Sequence, residues 1–281
     1  MHYRFSLIGY PINHSLSPWI HKHFLKKAGL EGEYTIYEID QKTSLGLEME
    51  KLKSKQLHGF NVTVPYKQKI LPLLDKVDDT ARKMGAVNTV VNENGIWTGY
   101  NTDGIGYLRS LESKFPELFR DKSNSILVIG AGGAARGIYA ALSDEGFNHI
   151  DIANRTENSA VQISEIGNKK TKTTILTLKE AELAAGNYDI IVQTTSVGMK
   201  PAKDRSIISL EHIKETAIAS DIIYQPINTV FLQQAKNAGA SIHYGHTMLL
   251  YQAQYAFELW TGEKVPIDGL DQKLLLELKG R

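Results

Sequence analysis

Two kinds of residue grouping in this 281-residue chain could do chemistry: one glycine-rich turn suited to phosphate, and three polar clusters suited to a small anion. Gly130-Ala131-Gly132-Gly133-Ala134-Ala135 follows the apolar run Ile126–Ile129 and reads G-x-G-x-x-A. In such a turn the first glycine makes the tight bend and the second lets backbone approach a pyrophosphate. The small third residue packs helix on strand. Free amides at the start of the following helix then face the phosphates, where the helix dipole favours negative charge. A bare glycine pattern also fits a plain strand-to-helix turn; the strand, helix and next strand at the right spacing favour a dinucleotide site. The end of the next strand decides which dinucleotide. An NAD site usually carries an acidic residue about 20 residues on, for the ribose 2′-hydroxyl. Here the chain reads Ala153-Asn154-Arg155-Thr156, with no carboxylate before Glu157. Asn154 and Thr156 can donate hydrogen bonds, and Arg155 offers a planar fork suited to a 2′-phosphate. The alternative is a solvated loop arginine. NADP is the expected cofactor.

The first polar cluster is Asn13-His14-Ser15-Leu16-Ser17-Pro18, after the first strand-like run. Two hydroxyls at a helix N-terminus make a carboxylate clamp, although Ser17 could serve only as a helix cap. The second is Gly59-Phe60-Asn61-Val62-Thr63-Val64-Pro65-Tyr66-Lys67. Strand alternation puts Asn61 and Thr63 on one face, with Lys67 just past the proline. Lone lysines are usually solvated, as nearby Lys69 is expected to be. The third comprises Gly85-Ala86-Val87-Asn88-Thr89 and Gly99-Tyr100-Asn101-Thr102-Asp103-Gly104. Asn88 and Asp103 sit in turn-rich settings where local turn bonding would be ordinary.

The elements that must position these groups alternate between strand-like and helix-like, the pattern of a parallel sheet covered by helices. Tyr3–Gly9, Glu33–Ile39 and Gly59–Val64 read as strands. A helix starts at Ser17-Pro18, with serine as N-cap and proline at the first helical position, and runs to about Gly29. Asp79–Met84 is helical, and Val87–Thr98 is a hairpin turning on Asn94-Gly95. A second series holds strands at Ile126–Ile129, Ile150–Ala153, Thr174–Leu178, Ile190–Thr194, Ala217–Ile223 and Ser241–Tyr244. A helix after the glycine turn ends at Gly146, and a final, aromatic-rich helix spans Thr247 to about Trp260. The fold expected is α/β with two domains. Residues 1–104, with 240–281 returning to them, form an N-terminal α/β substrate domain. Residues 105–239 form a Rossmann-type domain binding NADP.

Composition narrows the function classes. Hydrophobic residues make up 42% and charged residues 22%, as in ordinary globular proteins. The formal net charge of +1 supplies no global field towards nucleic acid or membranes, so any anion must be caught by a local site. There is no cysteine, which excludes disulfides, thiol nucleophiles and thiolate zinc sites. No stretch approaches the roughly 18 apolar residues of a membrane span, and the apolar run before Gly9 is too short for a signal segment. A cytoplasmic location is expected. The nine histidines are scattered, without an H-E-x-x-H or other convergent metal motif, and no metal is expected. His21 and His23 read as polar helix residues.

Taken together, the clusters resemble the shikimate dehydrogenase family over nearly the whole chain. The S-x-S-P segment, N-V-T-x-P-x-K, G-A-x-N-T, N-T-D-G, G-A-G-G-A-x-R and N-R-T follow the family's order. Thr194-Thr195-Ser196-Val197-Gly198-Met199 resembles its T-[TS]-x-G loop. Asp221-Ile222-Ile223-Tyr224-Gln225-Pro226 resembles D-x-x-Y-x-P, and Gly245, Met248-Leu249 and Gln252 resemble its last motif. Each motif is short; their ordered combination is specific. The chain departs at Gln225, where asparagine is common, and at Val230-Phe231, where T-P-L is frequent.

The resemblance implies that NADPH reduces 3-dehydroshikimate to shikimate, reversibly, in aromatic amino acid (chorismate) biosynthesis. It implies that Ser15 and Ser17 hold the substrate carboxylate with help from Tyr224, and that Asn61, Thr63, Asn88, Asp103 and Gln252 hold the ring hydroxyls. Lys67 is implied as proton donor or acceptor, kept charged and oriented by Asp103. Asp79 matches an acidic position near the nicotinamide side, and Ile222 and Gly245 match positions lining it. Two rivals stay open: a paralogue acting on quinate or another hydroxylated ring acid, and a silent NADP-binding regulator, against which the retained Lys67 and Asp103 argue. The expected partner is the small-molecule substrate, not nucleic acid or membrane, with monomer and homodimer both open.

Overall fold

The computed structural model describes residues 1–280. Contacts group the chain into two compact units: Met1–Asp103 with Gln252–Ile267, and Gly104–Tyr251 with the segment from Asp268 onward.

In the first unit the order is β1 (His2–Gly9), α1 (Ser17–Ala28), β2 (Glu31–Glu38), α2 (Leu45–Ser54), β3 (Gly59–Val62), β4 (Lys76–Val77), α3 (Asp79–Met84), β5 (Thr89–Glu93) and β6 (Ile96–Tyr100). The sheet runs β2-β1-β3-β5-β6-β4. β1 is parallel to β2 and β3, whereas β5 is antiparallel to β3 and β6. Both faces are covered. Phe60, Val62, Val90 and Trp97 meet Met49 and Leu52 of α2 in one core cluster. On the other face Phe5 stacks on Trp260 with centroids 4.5 Å apart, and His21, Phe24 and Phe257 complete an aromatic layer. Gly59 is required there, because a methyl group would overlap the Trp260 indole, which donates to the Val90 carbonyl at 2.9 Å. The hairpin forms as expected, with Glu93 opposite Ile96 and Asn94 and Gly95 both at positive φ, 55° and 88°.

The second unit holds α4 (Asp103–Lys114, entered from the first), β7 (Ser125–Ile129), α5 (Gly133–Asp144), β8 (His149–Ala153), α6 (Glu157–Ser164), β9 (Ile175–Leu176) and α7 (Leu178–Leu183). It continues with β10 (Ile190–Gln193), β11 (Ile218–Asp221), α8 (Val230–Asn237), β12 (Ser241–Tyr244), α9 (Gly245–Thr261) and α10 (Leu270–Lys279), α9 giving its residues from Gln252 to the first unit. All strand pairs are parallel, and the sheet runs β12-β11-β10-β7-β8-β9. Renumbered within this unit the order is 3-2-1-4-5-6, the doubly wound dinucleotide-binding arrangement. Its switch point lies between β7 and β10, where ligands bind at the strand C-termini.

Several elements differ from expectation. β3 stops at Val62 rather than Val64, because the Tyr66 amide turns back to the Thr63 carbonyl. β9 keeps two residues of Thr174–Leu178, because Thr177 forms a capping box with Glu180 and starts α7. The helix from Gly245 is not the last: α10 follows, opened by Gly269 at φ 72° and burying Leu270, Leu274 and Leu278. α2 was not expected.

Candidate functional site

In the first unit, Lys67 and Asp103 form the centre of a hydrogen-bonded group. Lys67 Nζ lies 2.6 Å from Asp103 Oδ2. The sequence folds this way because the chain leaves β3, turns through Thr63–Tyr66 and is pinned twice. The Tyr66 hydroxyl donates to the Ile39 carbonyl at 2.7 Å, and the Lys67 carbonyl accepts from the Val87 amide at 2.8 Å. Asp103 sits at the start of α4, where a carboxylate is favoured. Its amide donates to Asn101 Oδ1 at 3.1 Å, and its other oxygen accepts from Asn88 Nδ2 at 2.8 Å. Asn88 Oδ1 in turn accepts from the Thr102 amide at 2.8 Å. Thr102 Oγ reaches Gln252 Oε1 at 3.5 Å, bringing the last of the expected ring-hydroxyl residues into the group. Asn61 joins through its Nδ2, which donates to Thr89 Oγ at 3.0 Å and to the Asn88 carbonyl at 3.2 Å. Thr63 lies just past β3, packed so closely on Gly9 that a side chain there would overlap its methyl.

The serine pair forms a unit of its own. Ser17 is the first residue of α1 and not its cap, correcting that expectation: its amide donates to Ser15 Oγ at 3.2 Å, and the two hydroxyls lie 3.2 Å apart. Leu16 takes the cap position without a side-chain bond, and Ser15, one residue before it, accepts the first helical amide. Asp79 is exposed on the first turn of α3, whose cap is Asp78, accepting from the Thr80 and Ala81 amides. Among the described residues Asp79 is not joined to the Lys67 group.

His21 lies on α1 as expected of a helix residue, but it is not simply polar. It is fully buried, its ring flat on Tyr34 with centroids 4.4 Å apart and planes 3° apart. Burial, only partly offset by Asn61, holds its imidazole at about 3, so the ring is neutral. His23 is half-buried, with Nδ1 2.9 Å from the Trp19 carbonyl.

In the second unit, Gly130 takes φ 113° at the end of β7 and receives the Thr194 hydroxyl so closely that a methyl group would stand 2.5 Å from it. Gly132 is the cap of α5 and offers no side-chain hydrogen bond, leaving the first-turn amides for a ligand. Beside the would-be Cβ atoms of Gly132 and Gly133 there is open space within 4 Å, a cradle that fits a pyrophosphate. Ala131 and Ala134 are half-buried beside it. At the end of β8, Asn154 Nδ2 donates to the Thr156 carbonyl at 2.9 Å and shapes the turn, with Arg155 exposed. Thr156 caps α6 by position but gives it no side-chain hydrogen bond. These donors fit a 2′-phosphate.

Ile222 and Gly245 come together, the backbone of one against the Cα of the other. Sequence reasoning missed what holds them. Asp221 is fully buried and accepts from Thr229 Oγ at 2.7 Å, the Ile223 amide at 2.9 Å and Gln193 Nε2 at 3.4 Å. Burial pushes its carboxyl up to about 6, against those hydrogen bonds. Gln193 also donates to the Val197 carbonyl at 3.1 Å and accepts from the Thr195 amide, tying the Thr194–Gly198 loop to the same carboxylate. Tyr224 follows on this turn, its phenol pushed up by burial. Thr89 and Thr102 were also missed as participants, although both lie inside the G-A-x-N-T and N-T-D-G motifs.

Comparison with known proteins covers most of the chain. Family models for the shikimate dehydrogenase substrate binding domain, shikimate/quinate 5-dehydrogenase, and the shikimate 5′-dehydrogenase C-terminal domain match residues 7–90, 111–227 and 245–275. A shikimate dehydrogenase (NADP(+)) of Oceanobacillus iheyensis is 54% identical over 275 residues, 98% of each chain. A shikimate 5-dehydrogenase of Thermus thermophilus, solved with NADP(H) and shikimate, is 32% identical with TM-score 0.86, over 98% of this chain and 99% of that one. A quinate dehydrogenase of Corynebacterium glutamicum, solved with NAD, is 27% identical with TM-score 0.89, over 98% and 99%.

Proposed function

The chain belongs to the shikimate dehydrogenase family, and on that premise we propose that it reduces 3-dehydroshikimate to shikimate with NADPH, reversibly, as a step of aromatic amino acid (chorismate) biosynthesis. The observation that carries this reading is the Lys67–Asp103 pair, 2.6 Å apart and oriented by Asn88. Hydride delivery to a ketone carbon leaves negative charge on the oxygen. A positioned ammonium stabilises that charge and then protonates it. Lys67 Nζ gives its proton to the new alkoxide, and in the reverse direction takes it from the substrate hydroxyl. Asp103 holds the ammonium in place while Asn88 holds Asp103.

NADPH supplies the hydride when bound. Gly130–Ala134 and the α5 amides would hold its pyrophosphate, Asn154, Arg155 and Thr156 would hold the 2′-phosphate, and Asp79, Ile222 and Gly245 would serve the nicotinamide end. Ser15, Ser17 and Tyr224 bind the ring carboxylate; Asn61, Thr63, Asn88 and Gln252 bind ring hydroxyls. The first unit, Met1–Asp103 with Gln252–Ile267, serves as the substrate domain and the second as the NADP domain; the return to the first unit is thus shorter than the expected 240–281, because β12 pairs with β11 in the second sheet. A cytoplasmic location, expected from the cysteine-free composition, belongs to the same proposal.

The test is a panel of ring acids followed at the NADPH absorbance band. Shikimate with NADP⁺ is expected to be oxidised with higher kcat/KM than quinate, and faster than with NAD⁺. Turnover of quinate in preference to shikimate would overturn the substrate assignment. No turnover of any ring acid would leave the silent regulator.

A further inference from the structure

Tyr34 lies on β2, two strands from Asn61. The register pairs Phe5 of β1 with both Tyr34 and Gly59, so Asn61, two residues beyond Gly59, shares the face of Tyr34. Across that face the Tyr34 hydroxyl donates to Asn61 Oδ1 at 2.8 Å. The ring is gripped: it lies flat on His21, which itself packs edge-on against Phe24 and beside Trp260. The opposite end of the Asn61 amide is spent, its Nδ2 donating to the Asn88 carbonyl and Thr89 Oγ. An amide has two donors and an oxygen with two lone pairs. Both donors and at least one lone pair are therefore taken by the protein, so what Asn61 still offers a ligand is Oδ1 as an acceptor.

We propose that Tyr34 is a positioning residue, clamping the Asn61 amide from the side opposite Asn88 and Thr89 so that Asn61 meets a ring hydroxyl only as an acceptor. The inference rests on the reading of Asn61 as a ring-hydroxyl ligand. The same bonds continue to the catalytic pair, because Asn88 donates to Asp103, so a loosened Asn61 loosens the wall of the ring site first. Binding of the ring acid then suffers more than proton transfer, which depends on Lys67 and Asp103 directly.

The experiment compares Tyr34→Phe, Asn61→Ala and the double variant for shikimate oxidation at saturating NADP⁺, with 4-deoxy and 5-deoxy ring acids as probes. Tyr34→Phe keeps the ring on His21 and removes one hydroxyl. Its KM for shikimate is expected to rise about tenfold, the cost of one hydrogen-bonded anchor, with kcat within about threefold and the KM for NADP⁺ unchanged. In the Asn61→Ala background the same change is expected to have no further effect. The deoxy acid lacking the hydroxyl that Asn61 receives is expected to bind wild type and Tyr34→Phe alike. A tenfold rise that persists in the Asn61→Ala background, or that appears equally for NADP⁺ with a lowered Tm, would make Tyr34 a general structural residue and overturn the proposal. An unchanged KM in Tyr34→Phe, with a raised one in Asn61→Ala, overturns it while leaving Asn61 as ligand. An unchanged KM in Asn61→Ala removes the role of Asn61 and the inference with it.

Discussion

Gly245 and Ile222 meet backbone to backbone: a methyl group on Gly245 would overlap the carbonyl of Ile222. The turn after β11 and the first residue of α9 therefore approach as only glycine allows. Gly245→Ala has to displace one of them, and with it the Ile222 side chain. NADPH affinity, read by fluorescence titration, is expected to fall tenfold or more while the second unit stays folded. Wild-type affinity would mean that the turn yields freely and that Gly245 has no part in holding the cofactor.

Arg155 stands exposed at the end of β8, where an NAD site would carry an acid. One charge-assisted hydrogen bond is worth about 1.5–3 kcal/mol, or roughly 10–150-fold in affinity. Arg155→Ala is expected to weaken NADPH by that factor and NADH barely at all. Equal losses for both cofactors would leave Arg155 without a role at the 2′-phosphate.

The ring carboxylate is unchanged by the reaction, so its binding is uniform between ground and transition states. Ser15→Ala also removes the acceptor for the Ser17 amide. Its KM for shikimate is expected to rise roughly 10–150-fold, with a smaller change in kcat and normal NADP⁺ affinity. Collapse of kcat at constant KM would instead put Ser15 in the transition state.

His21 gives the fold an acid-sensitive element. Its folded value of about 3 lies below the ordinary 6.5, so between those values the unfolded chain takes up a proton that the folded protein refuses. The stability from His21 is therefore complete above pH 6.5 and drains away as pH falls towards 3. Between pH 7 and pH 5 the loss is about 2 kcal/mol. His21→Phe keeps an aromatic ring against Tyr34 and has no proton to bind. Urea unfolding at the two pH values is expected to show a decline about 2 kcal/mol smaller than in wild type. The same decline in both proteins would contradict a neutral, buried His21.

Legibility in the sequence followed the range of the interactions. The glycine turn, the Asn94-Gly95 hairpin and the alternation of strands with helices depend on neighbours, and the fold shows all of them. The type and place of Ser17 suit a cap, but Leu16 holds the cap position and the Ser15 hydroxyl, two residues before Ser17, accepts its amide. α10 escaped because Gly269 opens it with no side-chain cap. The burial of His21 arises from Tyr34 and from Phe257 and Trp260, far along the chain. Likewise the Tyr34–Asn61 bond spans 27 residues and the Asp221–Gln193 bond 28. Local patterns carry no trace of such pairings. Helix periodicity places His21 on α1 without revealing that its face turns inward onto aromatic rings.

The most direct measurement is the kcat of Lys67→Ala against Lys69→Ala. Lys67 is held at 2.6 Å by Asp103, whereas Lys69 is exposed, 5.9 Å from the Tyr66 ring centre. A general acid contributes about 10²–10⁴-fold, or roughly 3–5 kcal/mol of barrier. Lys67→Ala is expected to lose kcat for shikimate by that factor, with NADPH binding and fold intact and KM for the ring acid little moved. Lys67→Arg is expected to recover little, because a guanidinium does not release its proton at neutral pH, and Lys69→Ala to match wild type. A Lys67→Ala enzyme keeping more than about a tenth of wild-type kcat would assign the proton transfer to another group.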